Sequence, residues 1–344
     1  MRKIHFQAVI LFLAVLSASC KPEVGIYADY REIPVIYGLL DASADTNYIK
    51  ITRSFYAASD ATQTALNPDS SNYPGRLDVR LTEYRNGEQT REIILDTITI
   101  RNKQTGNFYA PAQKLYYTSE PLNSNTVGEK YSYMLSVALP DSTLHVKADI
   151  VGGCDFRVKS GAVNFSKESL YINRPFYFYP AINAVYYEME MSFTFLERRT
   201  PSSDSVLRTM HWKVAHHEDY YLASHMNEDA YVFTYRPETF WVVLRKFLGD
   251  DTLTDGVLRF IGDYPIELCI SACGKNQRRY IYFNDPVNGI APGDPEFTII
   301  KGAFGVFSSR MAIRTKLRLA GKTVPDLMDN RYYGFRFMGG ETSE

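Results

Sequence analysis

Tryptophan and cysteine are both scarce in this chain of 344 residues, at two and four. With the cysteine nearest the N-terminus set apart, Cys154, Cys269 and Cys273 remain, so at most one internal disulfide can form. Neither sign of charge is in excess: 38 Lys and Arg stand against 39 Asp and Glu. That balance argues against a general nucleic-acid binder, whose affinity rests on neutralising phosphates. A membrane-spanning helix needs about 20 apolar residues, and the apolar stretch Ala8–Leu16 is too short for one. Catalytic signatures are missing as well. No Gly-x-Ser-x-Gly elbow, Ser-x-x-Lys pair, phosphate-cradling Gly-x-x-x-x-Gly-Lys or His-Glu-x-x-His occurs. The expectation is a protein that is not an enzyme and holds no cofactor.

What is present begins at the N-terminus. Arg2 and Lys3 precede the apolar stretch, and Ser17-Ala18-Ser19 lead to Cys20. A basic start, a short apolar core and small residues before the cut mark a secretory signal. A cysteine at the cut resembles the bacterial lipobox, in which the thiol is diacylated. Leu16 stands four residues before Cys20, where a strict lipobox places it three before. An ordinary cleaved signal and an uncleaved anchor are the alternatives. The lipobox reading makes 1–19 a signal peptide, Cys20 the lipidation site and 20–31 a tether. The eleven residues Lys21–Arg31, fully extended, reach at most about 35–40 Å, which holds the folded part close to the membrane.

The 26 Tyr and 20 Phe are the outlier of the composition, and both residue types favour strands. Ile33–Leu40 and Asn47–Phe55 read as the first strand pair, with Tyr48, Lys50 and Thr52 on one face and Ile49, Ile51 and Arg53 on the other. The polar stretch Ala57–Pro74 reads as a mobile surface loop. Leu77–Tyr84 alternates strictly, and Asn86-Gly87 is a strong hairpin signal with Glu92–Ile100 as the returning partner. Lys130–Leu139 and Leu144–Ile150 flank a turn. Strands at this spacing predict a β-sandwich over 32–152, ending near Gly152-Gly153. The remainder, 153–344, reads as a larger β-rich unit. Tyr187–Phe195 is one long half-buried strand whose glutamates, Glu188 and Glu190, point to solvent. It pairs with Leu207–Ala215 across the loop Arg198–Ser205. One helix is convincing: Pro237 at its start, a stripe of Phe240, Val243, Leu244, Phe247 and Leu248, and Gly249 as its stop. Val257–Ile261, Ile266–Ile270, Tyr280–Phe283, Phe297–Ile300 and Arg331–Phe337 read as further strands. The fold class is therefore all-β, with one or two short helices.

Three groups of residues invite a chemical reading. His211, His216, His217, Glu218, Asp219 and His225 are metal-type side chains, but strand alternation would turn His216 away from His211 and His217, so no metal is expected. Asn284–Gly289 and Pro292–Pro295 are oxygen-rich turns whose residues are general turn formers. Cys269 and Cys273 lie in a strand-like context, about 13 Å apart if extended and so beyond disulfide reach. If the segment curls the pair can close; otherwise Cys154 is the better partner, or the thiols stay free. The aromatic run Leu170–Pro180 is the best candidate binding surface. Tyr171, Phe176, Tyr177 and Tyr179 are its candidate ligand-binding rings, to be weighed against a strand buried on both sides.

Several phrases together resemble the uncharacterised, domain-of-unknown-function family of outer-membrane lipoproteins of Bacteroidetes-type bacteria. Ile36–Arg53 is similar to their first strand and turn, Gly128–Pro140 to a late strand of their immunoglobulin-like N-terminal domain, and Gly302–Arg310 to their C-terminal Gly-x-x-Gly-hydrophobic-Phe pattern. None of these is a catalytic motif. The resemblance implies an immunoglobulin-like sandwich followed by a larger β-rich domain, lipid-anchored to the outer membrane through Cys20. It also implies an accessory or interaction role, beside a TonB-dependent receptor, with an outer-membrane receptor or a surface glycan as partner. A glycan- or nutrient-binding lipoprotein is the alternative function, and a metal-dependent hydrolase the least favoured.

Overall fold

A computed structural model describes residues 31–57, 60–153, 156–199, 204–215, 220–222, 230–249, 257–284, 299–329 and 337–338. The first half supplies β1 (Pro34–Leu40), β2 (Asn47–Arg53), β3 (Val79–Arg85), β4 (Glu88–Ile94), β5 (Asp96–Ile100), β6 (Gln113–Thr118), β7 (Tyr131–Ala138) and β8 (Thr143–Asp149). The middle supplies β9 (Arg157–Val158), β10 (Ala162–Val163), β11 (Arg174–Tyr179), β12 (Tyr186–Arg199), β13 (Ser205–Ala215), β14 (Tyr220–Leu222) and β15 (Tyr231–Tyr235). Then come β16 (Val257–Phe260), β17 (Ile266–Cys273) and β18 (Phe304–Leu319). The protein is β-rich and sandwich-like, with no closed barrel among the described residues.

One ten-stranded sheet runs β13-β12-β17-β18-β1-β2-β6-β5, with β16 and β10 alongside; β4-β3-β7-β8 and β14-β15-β11-β9 are smaller sheets. The β3–β4 hairpin turns at Asn86 and Gly87, both at positive φ (51° and 91°), as a tight two-residue turn requires. The returning strand starts at Glu88, earlier than the alternation predicts, and it divides. β4 stays beside β3, and after the buried Leu95 the chain crosses to the large sheet as β5 beside β6.

Burial of alternate side chains produces two apolar cores. In the first, Ile36, Ile49, Ile51 and Tyr116 of the large sheet face Val79, Leu81, Tyr133, Leu135 and Val137 of the small one. In the second, Tyr187, Met189, Met191, Phe193 and Phe195 of β12 pack with Phe176, Phe178 and Phe233, and with Phe240, Trp241 and Leu244 of the helix Pro237–Leu248. Up to Ile150 the chain contributes to the first core, and from Val151, beside Gly152-Gly153, it begins the second. β18 serves both, giving Phe307 to one and Leu317 to the other, and it pairs in parallel with β1. The first sandwich is therefore completed by Ile300, Ala303 and Phe307 from far along the chain.

Three sequence expectations change. The segment 57–74 is partly helical: Ala61–Ala65 is capped by Asp60, Pro68–Ser71 by Asn67, and Tyr73 is buried. Tyr280–Phe283 lies in a helix, Lys275–Asn284, instead of a strand. That helix has no buried residue, so its apolar positions form no core-facing stripe to separate it from a strand. Five α-helices are thus described where one or two were expected. The helix Pro237–Leu248 itself has Pro237 at its first turn and Gly249 at its end, as predicted. Arg331–Tyr333 and Gly334–Arg336 lie outside the described residues, as do Phe297 and Thr298 of Phe297–Ile300.

Candidate functional site

The residues singled out from sequence do not assemble into one site. Cys20 lies outside the described residues. Tyr171 is 76% exposed in the turn ahead of β11. Phe176 is 1% exposed in the second core, so it cannot meet a ligand at the surface. Tyr177 and Tyr179 alternate with it and sit half-buried on the other side of β11, where the Arg157 guanidinium covers the Tyr179 ring at 4.1 Å. Successive residues of a strand point to opposite faces, so this run divides its rings between core and surface.

His211 is exposed on β13; His216, His217, Glu218, Asp219 and His225 lie outside the described residues. Among the described residues no group of three or more His, Cys, Asp or Glu is arranged to hold a metal. Cys269 and Cys273 are free thiols on the extended strand β17. Burial pushes the Cys273 thiol up to about 12, aided by the Glu188 charge, which leaves it a poor nucleophile at neutral pH.

A different place has the form of a binding site. The outward positions of three adjacent strands, Val35 and Tyr37 of β1, Lys50 and Thr52 of β2 and Gln113 of β6, floor a cavity of about 470 Å3. Phe55, Ser71 and Asn72 wall one part of it, and Lys103, Phe108, Tyr109 and Ala112 another. The short helices of 61–71 and the segment before β6 thus raise a rim over an otherwise open sheet face. Its volume falls within the roughly 300–1,000 Å3 usual for small-molecule sites. Tyr37 and Phe108 present exposed rings, at 42% and 52%. Tyr37 is steadied by an edge-on contact with Tyr280 of the helix Lys275–Asn284, centroids 6.0 Å apart.

The charges in the lining are all of one sign. Lys50, Arg53 and Lys103 contribute to it, and no Asp or Glu does. Arg53 is matched from outside by Glu32 at 2.6 Å and stacks near the Tyr73 ring. The Lys50 ammonium donates to the neutral Gln113 Oε1 at 3.1 Å. The Lys103 ammonium donates to the Tyr109 carbonyl at 2.6 Å and lies 5.6 Å over the Phe108 ring. Burial, reinforced by the charge of Lys103, holds the Lys50 pKa below the ordinary lysine value. Chemically, the rings offer stacking surfaces, the amides and hydroxyls offer hydrogen bonds, and the two ammoniums offer positive charge.

Sequence reasoning placed Lys50 on the correct strand face but did not reach the cavity. Its walls come from residues 35–55, 71–72 and 103–113, and nothing local in those stretches announces that they meet. Fold and site together define a β-rich, sandwich-like protein with an aromatic, cationic cavity on its large sheet. No family model matches the chain, and no curated protein does.

Proposed function

We propose that this protein is a non-enzymatic, exported lipoprotein, anchored to the outer membrane through Cys20, that binds a small ring-bearing ligand in the cavity over β1, β2 and β6. The single observation that carries the ligand-binding part is the cavity itself: about 470 Å3, with Tyr37, Phe55, Phe108 and Tyr109 among its walls and polar heads between them. Small-molecule sites have this character, apolar walls with a few placed polar groups. Glu32, the first residue beyond the tether, pairs with Arg53 of the cavity lining. That contact supports a site held within a short reach of the membrane by the proposed tether.

Two measurements test the reading. Replacing Cys20 with Ala is expected to move the protein from the membrane fraction to the soluble fraction. Titration of the full chain with a panel of envelope saccharides is expected to find a binder whose affinity falls at least tenfold in Phe108→Ala. A lipoprotein that binds no member of the panel would remove the ligand-binding role.

A receptor-accessory role is the second reading. Two of the phrases that resemble the outer-membrane lipoproteins, Ile36–Arg53 and Gly302–Arg310, lie on neighbouring strands of the large sheet. A face shared by those strands is a natural place for a partner in the membrane. Stoichiometric recovery of an outer-membrane receptor with the tagged lipoprotein would favour it.

A further inference from the structure

The cavity keeps two lysine ammoniums together without a counterion. Lys50 and Lys103 have no carboxylate within ion-pair distance among the described residues, and their only protein acceptors are neutral oxygens of Gln113 and Tyr109. An ammonium carries three donors, so among the described residues each retains N–H groups without a protein acceptor. Like charges in a partly desolvated place repel more strongly than in open water. The effect is visible at Lys50, whose pKa is lowered by burial and by Lys103. Two lysines elsewhere do meet carboxylates, Lys213 at Glu188 and Lys322 at Glu168, whereas Lys114 donates to the Tyr73 and Gly75 carbonyls. What sets Lys50 and Lys103 apart is that both line one cavity.

We infer that the cavity takes an anionic, hydroxyl-rich ring, a carboxylate-bearing sugar, with Lys50 and Lys103 holding the carboxylate and the Phe108 ring stacking on the sugar face. This rests on the reading of the cavity as a ligand site and adds the charge of the ligand. The anion follows from two unmatched cations with no acid in the lining. The hydroxyl-rich character follows from the Thr52 hydroxyl and from the donor and acceptor capacity that the Gln113 and Asn72 amides keep beyond their bonds to Lys50, Asn102 and Pro68. The ring follows from the aromatic walls, which stack well on flat faces and poorly on extended chains.

The test is calorimetric titration of the full chain with oligomers of galacturonate and of glucuronate, and with the neutral galactose and glucose oligomers of the same length. Acidic oligomers are expected to bind at least about tenfold more tightly than their neutral counterparts, with affinity falling as salt rises. Lys50→Met and Lys103→Met are each expected to weaken acidic-sugar binding about tenfold or more, the loss of one charge-assisted hydrogen bond. Lys103→Arg keeps the charge and is expected to retain most of the affinity, and unfolding midpoints measured on every variant identify any that fails to fold. Equal binding of neutral and acidic oligomers, lost in Phe108→Ala but kept in both lysine variants, overturns the anion and leaves the ligand site standing. Acidic-sugar binding that is indifferent to Lys50→Met, Lys103→Met and Phe108→Ala places the contact elsewhere and overturns the inference. Binding of neither class of sugar removes the inference and the ligand site together.

Discussion

Gly305 lies against the backbone of Ile36, its partner across the parallel β1–β18 pairing: a β-carbon at 305 would stand 2.0 Å from the Ile36 carbonyl oxygen. The glycine also has a φ of +98°, a conformation that L side chains rarely adopt. The sequence pattern Gly302-Ala-Phe-Gly305 lacks the context of a nucleotide-binding turn, and the structure supplies a mechanical reason for its second glycine. It lets the end of the chain close onto the first strand.

Gly305→Ala is therefore expected to destabilise the protein by about 3 kcal/mol or more, combining overpacking against backbone with a strained conformation. Gly302 is the control. It has a positive φ of +83°, but its nearest neighbour is Leu144 at 3.8 Å, so Gly302→Ala is expected to cost about 1 kcal/mol. Urea unfolding of the two variants checks this, and equal costs would mean that Gly305 does not touch Ile36.

A second prediction concerns acid stability. Glu83, 2% exposed, accepts hydrogen bonds from the Tyr133 hydroxyl, from Thr90 at 2.7 Å, from Arg91 at 3.0 Å and from Asn123 at 3.0 Å. Burial alone would raise its pKa; the bonds from Tyr133, Thr90 and Arg91 and the Arg91 charge outweigh it and hold it below the ordinary value. A carboxylate with a depressed native pKa contributes stability that is complete above its unfolded value, about 4.3, and that disappears as pH falls through the native one. Glu83→Gln is expected to cost about 1–3 kcal/mol at pH 7. Denaturant titrations at pH 7 and pH 3 should show the gap to wild type narrowing at the lower pH; a constant gap would contradict the hydrogen-bonded carboxylate.

The inner face of the second half holds a buried ion pair. Glu197 of β12 meets Arg259 of β16 at 3.0 Å and Arg208 of β13 at 3.1 Å. Arg259 is almost wholly enclosed, whereas the Arg208 side chain keeps about a quarter of its exposure. Removing one partner of a buried pair leaves an uncompensated charge at a cost of about 3–5 kcal/mol. Arg259→Met is expected near the lower figure, since Arg208 still neutralises Glu197, and Arg208→Met well below it. Thermal and urea unfolding give the order, and the reverse order would count against this geometry.

The aromatic run of β11 separates core from surface by single substitutions. Phe176→Ala removes a large side chain from the second core and is expected to cost about 3–5 kcal/mol. Tyr171→Ala, at an exposed turn, is expected to change stability by less than about 0.5 kcal/mol. A neutral Phe176→Ala would return that ring to the list of binding candidates.

Local chemistry was legible wherever one segment decides its own shape. Asn86-Gly87 takes the two positive φ values its residues favour, and Pro237 and Gly249 bound a helix whose stripe runs Phe240, Leu244, Leu248. The outward phase of Glu188 and Glu190 on β12 follows from alternation alone. The segment Tyr280–Phe283 was not legible, because a short apolar run has the same appearance in a strand and in a helix. Here the long-range environment decides: Asn276 bonds the Phe307 carbonyl, Gln277 the Ser308 hydroxyl, and the helix lies across β18.

By itself, then, the sequence determined the β-rich class, most strand positions, the phase of their faces and the main helix, because side-chain period and turn residues act over a few positions. Only the tertiary structure decided that β1 pairs with β18, that one strand feeds two cores, and that Lys50 and Lys103 share an aromatic cavity. Those outcomes depend on contacts between residues tens to hundreds of positions apart, whose free energy is gained only when the whole sheet closes, and no local pattern encodes which distant strand will be the partner.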